Sequence, residues 1–369
     1  MSPEKFKPAS VHIAYFISSH GFGHAARAAA IMARLKTDNP QLHFDIFTKV
    51  PKWFFDQSLG DGFYHHNIDC DVGFCQASPL VADIPATIKA LEAFWPLDPI
   101  RIEKVASMLK NLACRLVICD IAPMGIAVAK SADLPSALIE NFTWDWLYEA
   151  YVEQHPILSY YIDLLARITA ESNYHIQTQP VCQKKATDLL CGPISRLPRH
   201  DPAETRKNLK IKKMRKMVLI SMGGIPADLQ FIKTLKDQQG IDFVIPGGTL
   251  KKVSREGNVV VIPHCSDFWH PDLIAAADGV VGKVGYSTLS EIYHAKKPFG
   301  YICRPSFRES QVLAHYVEKK MCGLAIESKE FESGRFLACI GALLNLRAGY
   351  VPRPNGAQAV AQFVERLIS

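Results

Sequence analysis

Short apolar runs recur along the chain, and each is followed by a stretch whose apolar positions have helical spacing. VHIAYFI (11–17), FDIFTKV (44–50), RLVICDI (115–121) and PSALIE (135–140) predict buried strands. The Ala-rich stretch from Ala25 to Leu35 and the residues up to Ala132 predict the helices between them. Residues 142–174 are helical in flavour and lead to a short strand, HIQTQ. Strands that alternate with helices in this way predict a parallel sheet covered on both faces.

The alternation stops near Cys191-Gly192-Pro193 and gives way to a basic run, 206–216. It restarts with MVLIS, a Gly223-Gly224 turn, DFVIP, VVVIP, GVVG, PFGYI and LAIE, with helices in between. AQAVAQFVERLI at the end is an amphipathic helix. The expected architecture is therefore α/β, with two Rossmann-like domains. Residues 1–195 form the first, 196–350 form the second, and 351–369 supply a helix that returns to the first.

A length of 369 residues fits two domains better than one core. Hydrophobic content of 48% with 21% charged residues is ordinary for a globular chain. The net charge of +6 suits phosphate-bearing ligands but lacks the clustering of a nucleic-acid binder. Ten cysteines without a CxxC pair predict buried free thiols in a reducing compartment. The polar first residues and the interrupted apolar stretches predict neither export nor a membrane span, hence a cytoplasmic protein. The sequon at Asn141-Phe142-Thr143 is then accidental.

The first strand opens onto SSHGFGHAAR. Gly21 and Gly23 permit positive φ and close approach of a ligand to the backbone. Gly21 to Ala26 also fits G-x-G-x-x-A, the dinucleotide fingerprint. The acidic residue that fingerprint wants at the end of the second strand is absent there, where Phe47-Thr48-Lys49 stand instead. His20 and His24 can equally cap the turn or handle protons. An imidazole at a loop mouth takes a proton from a hydroxyl near neutral pH when a carboxylate fixes its tautomer. Asp120 ends a strand on the same sheet edge and can be that carboxylate, or an N-cap before Pro123.

In the second half, GVVGKVGYSTLSE (279–291) reads as strand, glycine turn and helix. Such a turn aims backbone N–H groups and a positive helix end at one point, which suits a phosphate. Lys283, Gly285, Tyr286, Ser287 and Thr288 stand at that point. Glu291 forms a T-x-x-E capping box with Thr288, or accepts the two hydroxyls of a ribose. One βα unit later, Arg304, Arg308, Glu309 and Gln311 crowd a loop-to-helix junction within reach of a sugar on the diphosphate.

These stretches resemble glycosyltransferases of the GT-B fold, including the lipid II-forming enzyme and the plant UDP-glycosyltransferases. HGFGHAAR, DCDVGFCQASPLVAD, VICDIAPMG, NFTWDWLYEAYV, PDLIAAADGVVGKVGYSTLSE and KKPFGYICRPSFRESQ are most similar to the glycosyltransferase-like N-terminal half of plant L-arabinokinase. The arabinokinase pattern continues into a sugar kinase that this sequence does not include.

The resemblance implies an inverting, metal-independent transfer from a nucleoside-diphosphate sugar, UDP-linked, to a hydroxyl acceptor, with no other cofactor. It puts Glu291 on the donor ribose, Gly285 to Thr288 on the diphosphate, and Glu309 and Gln311 near the sugar. Ile262 to His264 would meet the base, with Gly223 and Gly224 facing the same cleft. It makes His24 the general base, paired with Asp120. His20, Asn141, Trp144 and Asp145 fall on the acceptor side. The paired glutamines of the lipid II enzyme become Gln311-Val312 here, which leaves the donor sugar open.

Three alternatives remain: a catalytically silent nucleotide-sugar binder, a UDP-sugar epimerase and an NAD-dependent dehydrogenase. Asp69-Cys70-Asp71 matches the metal-holding DxD pattern of another glycosyltransferase fold, and a turn or an acceptor-lining role is the reading preferred here. The basic run 206–216 is a solvated approach to the second domain, or a peripheral contact with anionic lipid.

Overall fold

The computed structural model describes residues 11–78, 80–223, 231–248, 251–305 and 307–369. Two seven-stranded sheets dominate it. The first runs, in spatial order, Phe63–Asn67, Leu42–Thr48, Val11–Ile17, Cys114–Asp120, Ser136–Glu140, Tyr174–Thr178 and Leu189–Cys191, all parallel. The second runs Ser254–Glu256, Val259–Pro263, Ile241–Gly248, Lys216–Ser221, Gly279–Lys283, Phe299–Ile302 and Gly323–Ala325. Only its edge strand Ser254–Glu256 is antiparallel.

Both sheets are buried on both faces, which is why their central strands are nearly all apolar. The helix Gly23–Asp38 packs its alanines Ala25, Ala28 and Ala29 onto the first sheet, and their small side chains allow a close approach. The C-terminal helix Gly356–Ile368 joins the same core through Val360, Ala361 and Val364, and Arg115 donates to the Ile368 carbonyl at 2.7 Å.

In each sheet the strand order reverses beside the first strand of its domain. That happens between Val11–Ile17 and Cys114–Asp120, and again between Lys216–Ser221 and Gly279–Lys283. Ligands of open α/β sheets bind outside the carboxyl ends of the strands at such points. The register sets Ile17 opposite Asp120 and Ser221 opposite Gly282, so each crevice opens where the sequence placed its glycine turns.

Several features escaped the sequence pattern. Residues 142–174 contain two helices, Trp144–Tyr148 and Leu158–Ala170, with a 3-10 turn Glu149–Tyr151 between them. A hairpin of Cys75–Ser78 and Val81–Asp83 stands apart from both sheets. The ten thiols are free, but only Cys70, Cys114, Cys119 and Cys191 are buried, and Cys265 is exposed. No helix among the described residues is long and apolar enough to cross a membrane.

The basic run 206–216 partly turns inward. Arg206 and Lys216 pair with Asp278, and Arg215 with Asp242. Three of its cations thus fasten the second sheet, which leaves the run less suited to a lipid contact than its composition suggested.

Candidate active site between the two domains

The two glycine turns face each other. Gly21 and Gly223 have φ of +71° and +73°, values that favour glycine, and a Cβ on Gly21 would lie 4.0 Å from the Gly223 carbonyl oxygen. Gly224 lies outside the described residues.

On the first domain, His24 opens the helix Gly23–Asp38 and its Nδ1 lies 2.8 Å from Asp120 Oδ1. The helix Pro123–Ala132 has Ala122 at its N-cap with no side-chain cap, so Asp120 does not act as one. Its carboxylate accepts from Arg27 instead, Nε to Oδ2 at 2.8 Å and Nη2 to Oδ1 at 2.6 Å. Burial pushes the Asp120 carboxyl up, but Arg27 and His24 outweigh that and hold it below the ordinary range.

Arg27 had no place in the sequence reading. A signal for it exists: an arginine inside AARAAA, three residues after His24, must share that histidine's helix face.

On the second domain, the helix Tyr286–Ala295 begins at the cleft, with Gly285 at its N-cap and no side-chain cap. Glu291 lies too far into this helix for a capping box. Its carboxylate accepts from Arg196 Nε at 3.0 Å and lies 2.7 Å from His270 Nδ1. Burial raises the Glu291 carboxyl, yet Arg196 and His270 hold it below its ordinary value. Neither partner was foreseen, because Arg196 sits in the interdomain connector and His270 opens a different helix.

Two adjoining cavities occupy the cleft, and they share Phe22, Gly23, Gly223, Ser287 and Thr288. The first is walled by Trp53 and Phe54 from one side and by Ile262, His264 and Phe268 from the other, with Glu291 also in its lining. The Phe22 and His264 rings meet across the cleft at 5.0 Å. The second cavity holds His20, His24, Lys283, Tyr286, Arg304 and Glu309. Burial and the Arg304 cation push the Lys283 ammonium down to about 7, against a smaller upward pull from Glu309. Burial, with Arg304, His24 and Lys283 nearby, lowers His20 well below the usual histidine value.

Other expected site residues stand elsewhere. Gln311 is exposed and lines neither cavity. Arg308 turns away to Glu149 and the Trp146 ring. Trp144 is core, its indole donating to Asp71 Oδ2 at 2.7 Å, and its ring lies 5.4 Å from that of His20 and 6.3 Å from that of His24. Asp145 is buried 3.9 Å from Lys185, away from both cavities. Asn141 is fully buried and bonds to Arg27 and Glu309. Asp69 is solvent-facing beside Lys49 while Asp71 is buried under Trp144, so these two carboxylates do not converge on one ion.

Comparison with known proteins bears on the fold and the family. A family model described as glycosyl transferase family 1 matches residues 11–341. L-arabinokinase of Arabidopsis thaliana is 26% identical over 366 residues, covering 95% of this chain, and the chain spans about a third (34%) of that relative's length. Among solved structures, the glycosyltransferase of kitacinnamycin superposes with a TM-score of 0.62 at 14% identity, covering 98% of this chain and 100% of that one. Medicago truncatula UGT71G1, complexed with UDP-glucose, superposes with a TM-score of 0.59 at 15% identity, covering 98% and 99%. With its two facing Rossmann-like domains in the GT-B arrangement, the chain belongs to glycosyl transferase family 1.

Proposed function

We propose that this glycosyltransferase moves a sugar from a UDP-linked donor to a hydroxyl acceptor, with inversion and without a metal. The observation that carries this reading is the placement of the His24–Asp120 pair on one domain, directly across the cleft from the start of the helix Tyr286–Ala295 on the other. The uracil and ribose would occupy the first cavity, between Phe22, His264 and Glu291. Each carboxylate oxygen has two lone-pair sites, so Glu291 can hold Arg196 and His270 and still accept both ribose hydroxyls.

The diphosphate would lie at the shared wall, where Ser287, Thr288 and the free backbone N–H groups of the helix start converge. His24 would take the acceptor's proton from the second cavity. The alkoxide then attacks the anomeric carbon opposite the departing diphosphate, whose charge the helix end stabilises. Calorimetric titration with UDP and with NAD tests the assignment, and selective NAD binding would refute it.

Glu291→Gln should weaken UDP by about 10–100-fold, the size of one or two hydrogen bonds to a charged group. It should also erase the preference for UDP over its 2′-deoxy counterpart. If that preference survives, Glu291 does not hold the ribose.

Lys283 supplies the cation that a metal would otherwise provide. An arriving diphosphate should pull a proton onto its amine and raise its pKa from about 7. UDP affinity is then greatest below pH 7 and falls as pH rises toward the bound-state pKa, by up to about tenfold per unit. Titrations at pH 7.5 in two buffers of different ionisation heat should show proton uptake, and Lys283→Met should abolish it.

A further inference from the structure

The second cavity ends on a chain of buried polar groups that runs from one domain into the other. Arg27 Nη1 donates to Asn141 Oδ1 at 2.7 Å, and Asn141 Nδ2 donates to Glu309 Oε1 at 2.9 Å. Arg27 Nη1 also reaches Thr178 Oγ1 at 3.4 Å, and its guanidinium lies 4.7 Å from the centre of the Tyr286 ring on the donor-side helix. At its far end Glu309 Oε2 stands 3.5 Å from Arg304. Asn141 is fully buried and Glu309 nearly so.

The amide can point only one way. Arg27 has donors and no acceptor, so it fixes the Asn141 oxygen, and the Asn141 nitrogen must then face the carboxylate. Asn141 therefore works as an adapter between a cation of the first domain and an anion of the second. Arg27 in turn shares Asp120 with His24, and its Nη2 lies 3.3 Å from His24 Nδ1. Of these groups His24, Arg27, Tyr286, Arg304 and Glu309 line the cavity, while Asn141, Thr178 and Asp120 stand behind them.

We propose that Asn141 and Arg27 are positioning residues that latch the domains shut through Glu309 and hand that closure on to the His24–Asp120 pair. The proposal rests on the glycosyltransferase reading for its purpose: the base is aligned only when the cleft has closed on the donor. When the domains part, Asn141 loses its acceptor and Arg27 loses the Tyr286 ring. The fork that orients Asp120 is then held by its first-domain contacts alone.

A polarity exchange tests the latch with UDP itself as the probe, measured by calorimetry on the full chain. Asn141→Asp keeps an acceptor for Arg27 but sets two carboxylates against each other on closure. UDP should bind about tenfold more weakly, since the Phe22, Trp53 and Phe54 wall must close to meet it. Adding Glu309→Gln to that variant supplies a donor to the new carboxylate and should bring UDP back to within about threefold of wild type. A double variant that binds no better than Asn141→Asp overturns the latch.

The second arm reads the base directly. The imidazole nitrogen-15 signals of His24, assigned by their loss in His24→Gln, should move in Asn141→Leu although residue 141 does not touch the ring. Unmoved signals overturn the relay. If wild type binds no UDP at all, the UDP-donor assignment fails, while the His24 signals still decide whether Asn141 governs the base.

Discussion

His24→Gln is expected to cut sugar transfer by about 10²–10⁴-fold, the usual contribution of a positioned general base. UDP affinity should stay within about twofold of wild type, because His24 lines the second cavity and not the first. Glutamine retains a polar group of similar length but cannot accept and release a proton near neutral pH. Progress curves of UDP release from a donor–acceptor pair would show the loss in kcat with little change in donor KM. A variant within tenfold of wild type would move the base elsewhere. A silent sugar-nucleotide binder would respond to Glu291→Gln and ignore His24→Gln, so these two substitutions separate that alternative from an enzyme.

The largest stability effect is expected at Arg27. This side chain is 1% exposed and Asp120 is fully buried, so Arg27→Met leaves a carboxylate inside the protein with His24 as its one side-chain hydrogen-bond partner among the described residues. Removing one partner of a buried ion pair costs about 3–5 kcal/mol, because the remaining charge keeps its desolvation penalty. Urea unfolding at neutral pH should register that loss, and Asp120→Leu added to Arg27→Met should recover much of it.

The pH dependence follows from the same pair. In wild type Asp120 is held below its unfolded value, so its contribution is present above that value and disappears on acidification. Without Arg27, burial lifts the carboxyl, and protonation at low pH relieves the cost. The gap between Arg27→Met and wild type should therefore be widest near pH 7 and narrow as pH falls. A gap that does not vary with pH would mean that lost packing, rather than the stranded charge, dominates.

How much of this was legible beforehand varied with the range of the interaction. The two central strands VHIAYFI and GVVGK were readable because a parallel sheet buried on both faces admits little but apolar residues. The crevices were readable because glycine turns and helix starts follow directly in sequence. His24 with Asp120 was found as a pair of sheet-edge positions, since neighbouring parallel strands end at the same level. For Glu291, spacing alone left a capping box and a ligand site equally possible, and the boundary of its helix removed the first.

Gln311 shows the opposite case. It lies two residues after Glu309, and at a hundred degrees per residue that spacing turns it away from the cleft that Glu309 faces. The partners that set the charges of the site, Arg27 for Asp120 and Arg196 with His270 for Glu291, come from three separate segments. The orientation of Asn141 depends on an arginine and a glutamate on opposite domains.

The sequence by itself determined the central strands, the helices between them and the glycine turns at the strand ends, because hydrophobic period and turn chemistry act over neighbouring residues. It also placed the helix start at Gly285–Thr288 and the histidine loop at 20–24. Only the tertiary structure decided which charges neutralise one another in the cleft and which face of each helix meets it. Those outcomes depend on Coulomb and desolvation energies between groups remote in the chain, and such energies exist only once folding has taken the groups out of water.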